Sequence, residues 1–185
     1  MLRIVCDMDG VICDLIGWWT YLLNRYHGTN IKRDDVTEWD IHAACPEIFK
    51  EEVYKYLGDP GFFLHLDPIP GALEGLRGLI QRGHDVVIAT ACEYGHADKR
   101  LWLKRHLPEL PHQNIVFIER KELIPGDVFI DDRLENLEKW SEANGMCGDP
   151  ICFDAPYNRS WGGIRAKSWD EIITRIERKV VASIW

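Results

Sequence analysis

Short apolar runs alternate along the chain with segments in which apolar residues recur at helical spacing. The runs cover residues 2–6, 86–89, 115–118, 128–130 and 151–153. Helical spacing is found at residues 15–26, 72–82, 97–107, 134–144 and 169–180. Strands that alternate with helices are typical of a mostly parallel sheet covered on both faces, with right-handed crossovers. The pattern therefore predicts an α/β fold.

The segment after the first strand has a different pattern. Charged residues, together with Pro46, Pro60 and Gly61, break it into short pieces, of which residues 47–57 are the best predicted helix after the first. We interpret residues 14–66 as a small, mostly helical insertion, and residues 1–13 and 67–185 as the core domain. The predicted architecture is a Rossmann-like parallel sheet with helices on both faces and a small helical cap inserted after the first strand.

Composition excludes several classes of function. The 185 residues carry a formal net charge of −8, which argues against binding a nucleic acid polymer through bulk charge. No apolar run reaches the roughly 18 residues of a membrane span, and the chain enters a strand too early for a signal peptide. The six cysteines are scattered without a C-x-x-C pair. These features predict a cytoplasmic protein without structural disulfides or zinc, and they leave open whether it forms a homodimer.

Polar residues of distinct types follow four of the predicted strands. Because parallel strands end at one edge of the sheet, these side chains are expected to converge there. They are Asp7, Asp9, Thr90, Lys121, Asp131 and Asp132. Each alone has an ordinary explanation as a turn residue, a helix cap or a surface charge. Together, the carboxylates would repel one another unless a cation such as Mg²⁺ were bound, and the hydroxyl and ammonium groups suit a phosphoryl group.

The ordered set of strand-end residues resembles the haloacid dehalogenase-like phosphohydrolase superfamily. The matching pieces are Asp7-x-Asp9-Gly10-Val11, Thr90, Lys121 and Asp131-Asp132, which span the chain in order. Within the superfamily the chain is most similar to the 5′(3′)-deoxyribonucleotidases. The stretches that carry this similarity are residues 62–71, 130–133, 157–159 and 168–172.

The resemblance implies a role for each matching residue. Asp7 would be the nucleophile that forms an aspartyl-phosphate, and Asp9 the general acid and then the general base. Mg²⁺ would be held by the Asp7 carboxylate, the Asp9 backbone carbonyl and Asp132, with Asp131 in support. The phosphate oxygens would be bound by Thr90 and Lys121. The implied activity is dephosphorylation of a small-molecule (deoxy)nucleoside monophosphate.

Three aromatic residues of the cap are candidates for stacking on a nucleobase, namely Trp18, Trp39 and Phe62. The alternative is that the cap aromatics mostly form the core of a small subdomain. Two alternatives to a nucleotidase also stay open. One is the same chemistry on another small phosphate, such as a sugar phosphate, and the other is a non-catalytic metal-binding scaffold.

Overall fold

A six-stranded parallel sheet forms the centre of the molecule. The computed structural model describes residues 1–91, 93–144 and 148–182. The sheet has the order β3-β2-β1-β4-β5-β6, and every neighbouring pair is parallel. The strands are β1 (Arg3–Cys6), β2 (Asp85–Thr90), β3 (Ile115–Phe117), β4 (Val128–Asp131), β5 (Asp149–Phe153) and β6 (Ile164–Ala166). Because β1 is central, the loop after it lies between the carboxyl ends of β2 and β4.

Helices connect these strands. They are α1 (Leu15–His27), α2 (Lys50–Tyr54), α3 (Ala72–Gln81), α4 (His96–His106), α5 (Leu134–Asn144) and α6 (Trp169–Ala182). Helix α1 ends at Gly28, whose φ of 68° is the left-handed conformation that favours glycine. The α/β fold with its parallel sheet is thus confirmed.

Residues 14–66 contain helices and short 3₁₀ turns, and no strand in this fully described range. The two ends of the range lie side by side, since the Asp14 N–H donates to the Asp67 carbonyl over 2.8 Å and the Ile69 N–H to the Ile12 carbonyl over 2.8 Å. The buried apolar side chains of this range join those beside the sheet in one continuous cluster. The cap and core boundaries drawn from the sequence remain a prediction.

Some predicted elements differ from the structure. The helix predicted at residues 47–57 is shorter, because Phe49 is extended and the chain passes from α2 into a 3₁₀ turn at Lys55–Gly58. Strand β6 was not predicted, because its three residues include a charged one. Gly145, the predicted stop of α5, lies outside the described residues.

Two compositional expectations can be compared with the structure. Cys6, Cys13, Cys45 and Cys152 are free and buried thiols, whereas Cys92 and Cys147 lie outside the described residues. Among the described helices, none combines the length and the apolar character that crossing a membrane requires.

Candidate active site

The loop after β1 positions the first two carboxylates. The Asp7 N–H donates to the Ile130 carbonyl over 2.8 Å, which ties the loop to β4. The Met8 carbonyl then accepts from Ile12 over 2.8 Å and Cys13 over 3.1 Å, so the chain folds back in a tight turn. Gly10 makes that turn with φ of 76°. A Cβ at this position would lie 2.1 Å from Asp132 Oδ2, so the turn also requires the absence of a side chain.

The end of β4 brings two more carboxylates to the same place. Ligand oxygens of Asp7, Asp131 and Asp132 all lie within 4.8 Å of one another, and all three residues are buried. Lys121 is 3% exposed, and its Nζ lies 2.7 Å from Asp7 Oδ1 and 2.7 Å from Asp131 Oδ2. Both Asp131 oxygens are occupied, because Asn136 and the Arg133 N–H also donate to them. Asp131 therefore chiefly holds Lys121 in position.

Burial controls the charges of this cluster. It raises the pKa of Asp7 to about 7, with Lys121 opposing the shift and the Asp131 charge adding to it. The pKa of Asp132 is also raised, first by burial and then by the charges of Asp131 and Asp7. For Lys121 burial lowers the pKa, but the neighbouring Asp131 and Asp7 carboxylates more than offset this and raise it. The anionic forms of Asp7 and Asp132 are thus unfavourable unless positive charge is added.

Asp132 carries an oxygen that fits a cation. Its Oδ2 accepts from the Tyr157 hydroxyl, whereas its buried Oδ1 has no hydrogen-bond partner among the described residues. A buried carboxylate oxygen without a partner is costly, and a hard cation would satisfy it. Its neighbour Asp7 offers a second carboxylate within reach. The donor set therefore fits a divalent metal ion such as Mg²⁺.

Asp9 lies beside this cluster and has a different partner. Its Oδ2 is 2.5 Å from Nζ of Lys99, a residue of α4 that is 3% exposed. Lys99 also donates to Thr90 Oγ1 over 3.1 Å and to the Ala91 carbonyl over 2.8 Å. All three ammonium donors are used, and the lysine links the ends of β1 and β2. The ring of Phe63 covers it, with its centroid 4.7 Å from Nζ.

A cavity of about 210 Å³ opens above the carboxylates. Its floor includes Asp7, Asp9, Lys121 and Asp132. Its walls are mainly aromatic and aliphatic side chains of the cap, namely Leu15, Ile16, Trp19, Trp39, Tyr54 and Leu57. Trp39 is 52% exposed at the rim, where the Arg133 guanidinium lies 5.0 Å from its ring centroid. The cavity thus combines a charged floor with apolar walls.

Trp18 and Phe62, two of the residues predicted to stack on a base, are not among the residues that line this cavity. Both line a separate cleft of about 630 Å³ on the cap, which contains none of the strand-end carboxylates. Trp18 stacks there on Tyr21 and His65, with centroids 5.2 Å and 5.1 Å away. The adjacent Trp19, about 100° further around α1, faces the cavity instead.

Sequence reasoning missed two polar residues of the site. Lys99 is one of several charges in the polar helix α4, and only the fold shows that it points inward. Tyr157 belongs to a stretch that carried the family resemblance, but nothing in the pattern assigned its hydroxyl a partner. The predicted residues Asp7, Asp9, Thr90, Lys121, Asp131 and Asp132 are brought together at one edge of the sheet.

Comparison with known sequences gives consistent matches over nearly the whole chain. The model of the family "5′ nucleotidase, deoxy (pyrimidine), cytosolic type C protein" matches residues 1–183. A 5′(3′)-deoxyribonucleotidase of Bacillus subtilis (strain 168) is 33% identical over 181 residues, which are 96% of this chain and 98% of the relative. A 5′(3′)-deoxyribonucleotidase of Clostridium acetobutylicum is 30% identical over 167 residues, which cover 89% of each chain.

Solved structures share the fold at low sequence identity. A HAD family hydrolase from Deinococcus radiodurans R1, with bound phosphate and sodium, has a TM-score of 0.61 and 14% identity, and the match covers 95% of each chain. A HAD phosphatase from Thermococcus onnurineus has a TM-score of 0.54 and 13% identity, over 95% of this chain and 98% of the other.

Proposed function

The chain belongs to the 5′ nucleotidase, deoxy (pyrimidine), cytosolic type C family of haloacid dehalogenase-like phosphoric monoester hydrolases, and on that premise we propose that it dephosphorylates (deoxy)nucleoside monophosphates with the aid of Mg²⁺. The reaction would pass through an aspartyl-phosphate on Asp7. The relatives named above are deoxyribonucleotidases, which favours the deoxy form of the substrate.

One observation carries the proposal, namely the charge balance around the Asp132 oxygen that has no partner in the described part of the chain. Four carboxylates meet two buried ammonium groups, so these six side chains carry a net charge of minus two when all are ionised. A divalent cation would neutralise that charge and allow a phosphate to approach. Its ligands would be Asp7, Asp132 and the Asp9 backbone carbonyl, with Asp131 in support. When bound, the cation supplies Lewis-acid stabilisation of the charge on the phosphoryl oxygens.

Asp7 is suited to the nucleophilic step. Lys121 holds its Oδ1 at 2.7 Å, which fixes the orientation of the carboxylate at the floor of the cavity. An Asp7 oxygen would attack phosphorus while the bond from phosphorus to the ester oxygen breaks. The product of this step is an aspartyl-phosphate and an alkoxide leaving group.

Asp9 is suited to the proton transfers. Protonated, it would give its proton to the leaving alkoxide of the nucleoside. As a carboxylate, it would then take a proton from the water that attacks the phosphorus of the aspartyl-phosphate, which releases inorganic phosphate and restores Asp7. Such proton transfer is typically worth about 10²–10⁴-fold in rate. Lys99 orients the Asp9 carboxylate for both steps through the 2.5 Å contact.

Lys121 at the floor of the cavity and Thr90 at the end of β2 would bind the phosphate oxygens. Lys121 uses two of its three N–H donors on described carboxylates, which leaves one for the substrate. Thr90 accepts from Lys99, and its own hydrogen has only a 3.3 Å contact to the Ala91 carbonyl. That hydrogen can therefore turn to a phosphate oxygen, and both donors would stabilise the transferring group.

The apolar walls of the cavity would receive the nucleoside. Trp39 at the rim is the best placed of the predicted aromatic residues to stack on a base, and Tyr54 also lines the cavity. Base stacking on an aromatic side chain is worth roughly 1–3 kcal/mol. Trp18 and Phe62, in the separate cleft, are not part of this proposal.

A phosphate-release assay tests the proposal. Purified protein is assayed with deoxynucleoside, ribonucleoside and sugar monophosphates, with Mg²⁺ and with EDTA. We expect Mg²⁺-dependent release with nucleotides preferred, and loss of release in Asp7→Asn. Preference for sugar phosphates would transfer the same chemistry to that substrate class, and no release from any substrate would support a non-catalytic scaffold.

A further inference from the structure

Tyr157 joins the carboxylate cluster to the rim of the cavity. Its hydroxyl donates to Asp132 Oδ2, and its ring meets Trp39 edge-on with centroids 5.4 Å apart. The hydroxyl leaves Oδ1 as the only Asp132 oxygen without a described partner. Tyr157 therefore determines which oxygen of this carboxylate is available.

The turn that carries Tyr157 is itself held firmly. The next residue, Asn158, is fully buried and donates to the Asp132 and Phe153 carbonyls, each over 2.8 Å. Arg165 on β6 donates to Asn158 Oδ1 over 2.7 Å and to Asp154 over 2.6 Å. The last strand of the sheet thus supports the position of the tyrosine relative to Asp132.

The loop after β1 leaves room for this contact. A Cβ at Gly10 would lie 2.1 Å from Asp132 Oδ2 and 3.3 Å from the Tyr157 hydroxyl oxygen. The two residues therefore meet directly above the glycine. The contact depends on three separate parts of the chain: the loop after β1, the end of β4, and the turn between β5 and β6.

We propose that Tyr157 is a positioning residue that holds Asp132 Oδ2 so that Oδ1 faces the divalent cation. This inference rests on the proposed function, because it requires that a cation bind at the site. Metal-ligating carboxylates are themselves commonly hydrogen-bonded, and loss of such an outer partner typically weakens metal binding about 10–100-fold. Without the hydroxyl, the Asp132 carboxylate is free to rotate, and the cation must fix it on binding.

Calorimetric titration with Mg²⁺ tests this proposal on the intact protein. We expect Tyr157→Phe, which keeps the ring beside Trp39, to raise the Kd for Mg²⁺ about 10–100-fold. Tyr56→Phe is the matched control, because it removes a hydroxyl that contacts His27 on the cap, away from the carboxylates. The control is expected to bind Mg²⁺ as the wild type does.

The Mg²⁺ dependence of phosphate release separates positioning from a general structural defect. We expect the activation curve of Tyr157→Phe to shift to higher Mg²⁺, with kcat restored to within a few-fold at saturation. An unchanged Kd, or a kcat that stays low at every Mg²⁺ concentration, would overturn the role of Tyr157 while leaving the proposed function intact. If the wild-type protein bound no Mg²⁺ at all, the proposed function would fail together with this inference.

Discussion

Replacing Gly10 by alanine tests whether the geometry of the loop after β1 sets the activity. The added Cβ would lie 2.1 Å from Asp132 Oδ2 and 3.0 Å from its Cγ. Carbon–oxygen contacts in proteins rarely fall below about 3 Å, so the carboxylate or the loop must move by about 1 Å. A displacement of about 1 Å at a catalytic centre can reduce the rate about 10²-fold. We therefore expect Gly10→Ala to lower kcat/KM by at least that factor.

Gly28→Ala provides a control with the same backbone strain and no collision. Its φ is 68°, close to the 76° of Gly10, but nothing lies within 4 Å of the added Cβ. An alanine in the left-handed region costs roughly 1–2 kcal/mol. At about 2–4 °C per kcal/mol for a chain of this size, Gly28→Ala should lower the Tm by about 2–8 °C.

The assay is phosphate release under saturating Mg²⁺, with melting curves of both variants recorded in parallel. Gly28→Ala should keep kcat/KM within about twofold of the wild type, because strain at the end of α1 does not displace Asp132. The reasoning would be refuted if Gly10→Ala retained the activity of the control, since the 2.1 Å approach would then have been relieved without moving the carboxylate.

Three further predictions concern the charged groups of the site. Asp9→Asn should slow the first-turnover release of the nucleoside far more than that of p-nitrophenol from p-nitrophenyl phosphate, whose leaving group needs no proton, while later turnovers of both substrates slow through loss of the base; equal first-turnover losses would contradict the acid role, and calorimetry should show little change in Mg²⁺ affinity. Lys99→Met should lower the free energy of unfolding by roughly 1–3 kcal/mol, as measured with urea, because it removes a buried donor from Thr90 and the Ala91 carbonyl and leaves the Asp9 carboxylate, whose side chain is 20% exposed, without its ion pair; an unchanged free energy of unfolding would argue against a stabilising role of Lys99. Mg²⁺ at 100 times its Kd should raise the free energy of unfolding by about 2.7 kcal/mol, which corresponds to a Tm increase of about 5–11 °C. Asp132→Asn should abolish this increase, and an increase that persists in the variant would place the cation elsewhere.

The parts of the fold that were predictable are those in which local pattern and burial agree. Strands β1, β2 and β4 are short apolar runs whose core-facing residues are fully buried, such as Ile4, Ile88 and Ile130. Strand β6 was not predicted because its middle residue, Arg165, is charged. Arg165 donates to Asn158 in the preceding turn, and this contact can be seen only in the three-dimensional structure.

The site shows the same contrast between residues that the local pattern predicts and residues whose position only the three-dimensional structure shows. The strand-end residues were found because a parallel sheet brings its carboxyl ends together, whatever the details of packing. The inward orientation of Lys99 could not be found, because α4 is polar on several sides and its pairing with Asp9 spans 90 residues. The pattern could not show that Trp19 rather than Trp18 lines the cavity, because an aromatic residue signals burial but not the side of the helix from which it projects.

The continuous apolar cluster that joins residues 14–66 to the sheet restricts how a substrate can enter. Phe62, Phe63 and Leu66 are each at most 4% exposed, and uncovering three such side chains would cost roughly 5–9 kcal/mol at about 1.5–3 kcal/mol each. A conformation in which residues 14–66 have swung away from the sheet would therefore be adopted by fewer than about one molecule in a thousand. Small rearrangements around the half-exposed Trp39 would leave these three side chains buried, and an opening of that size would suit a small phosphate ester better than a phosphorylated residue of a folded protein.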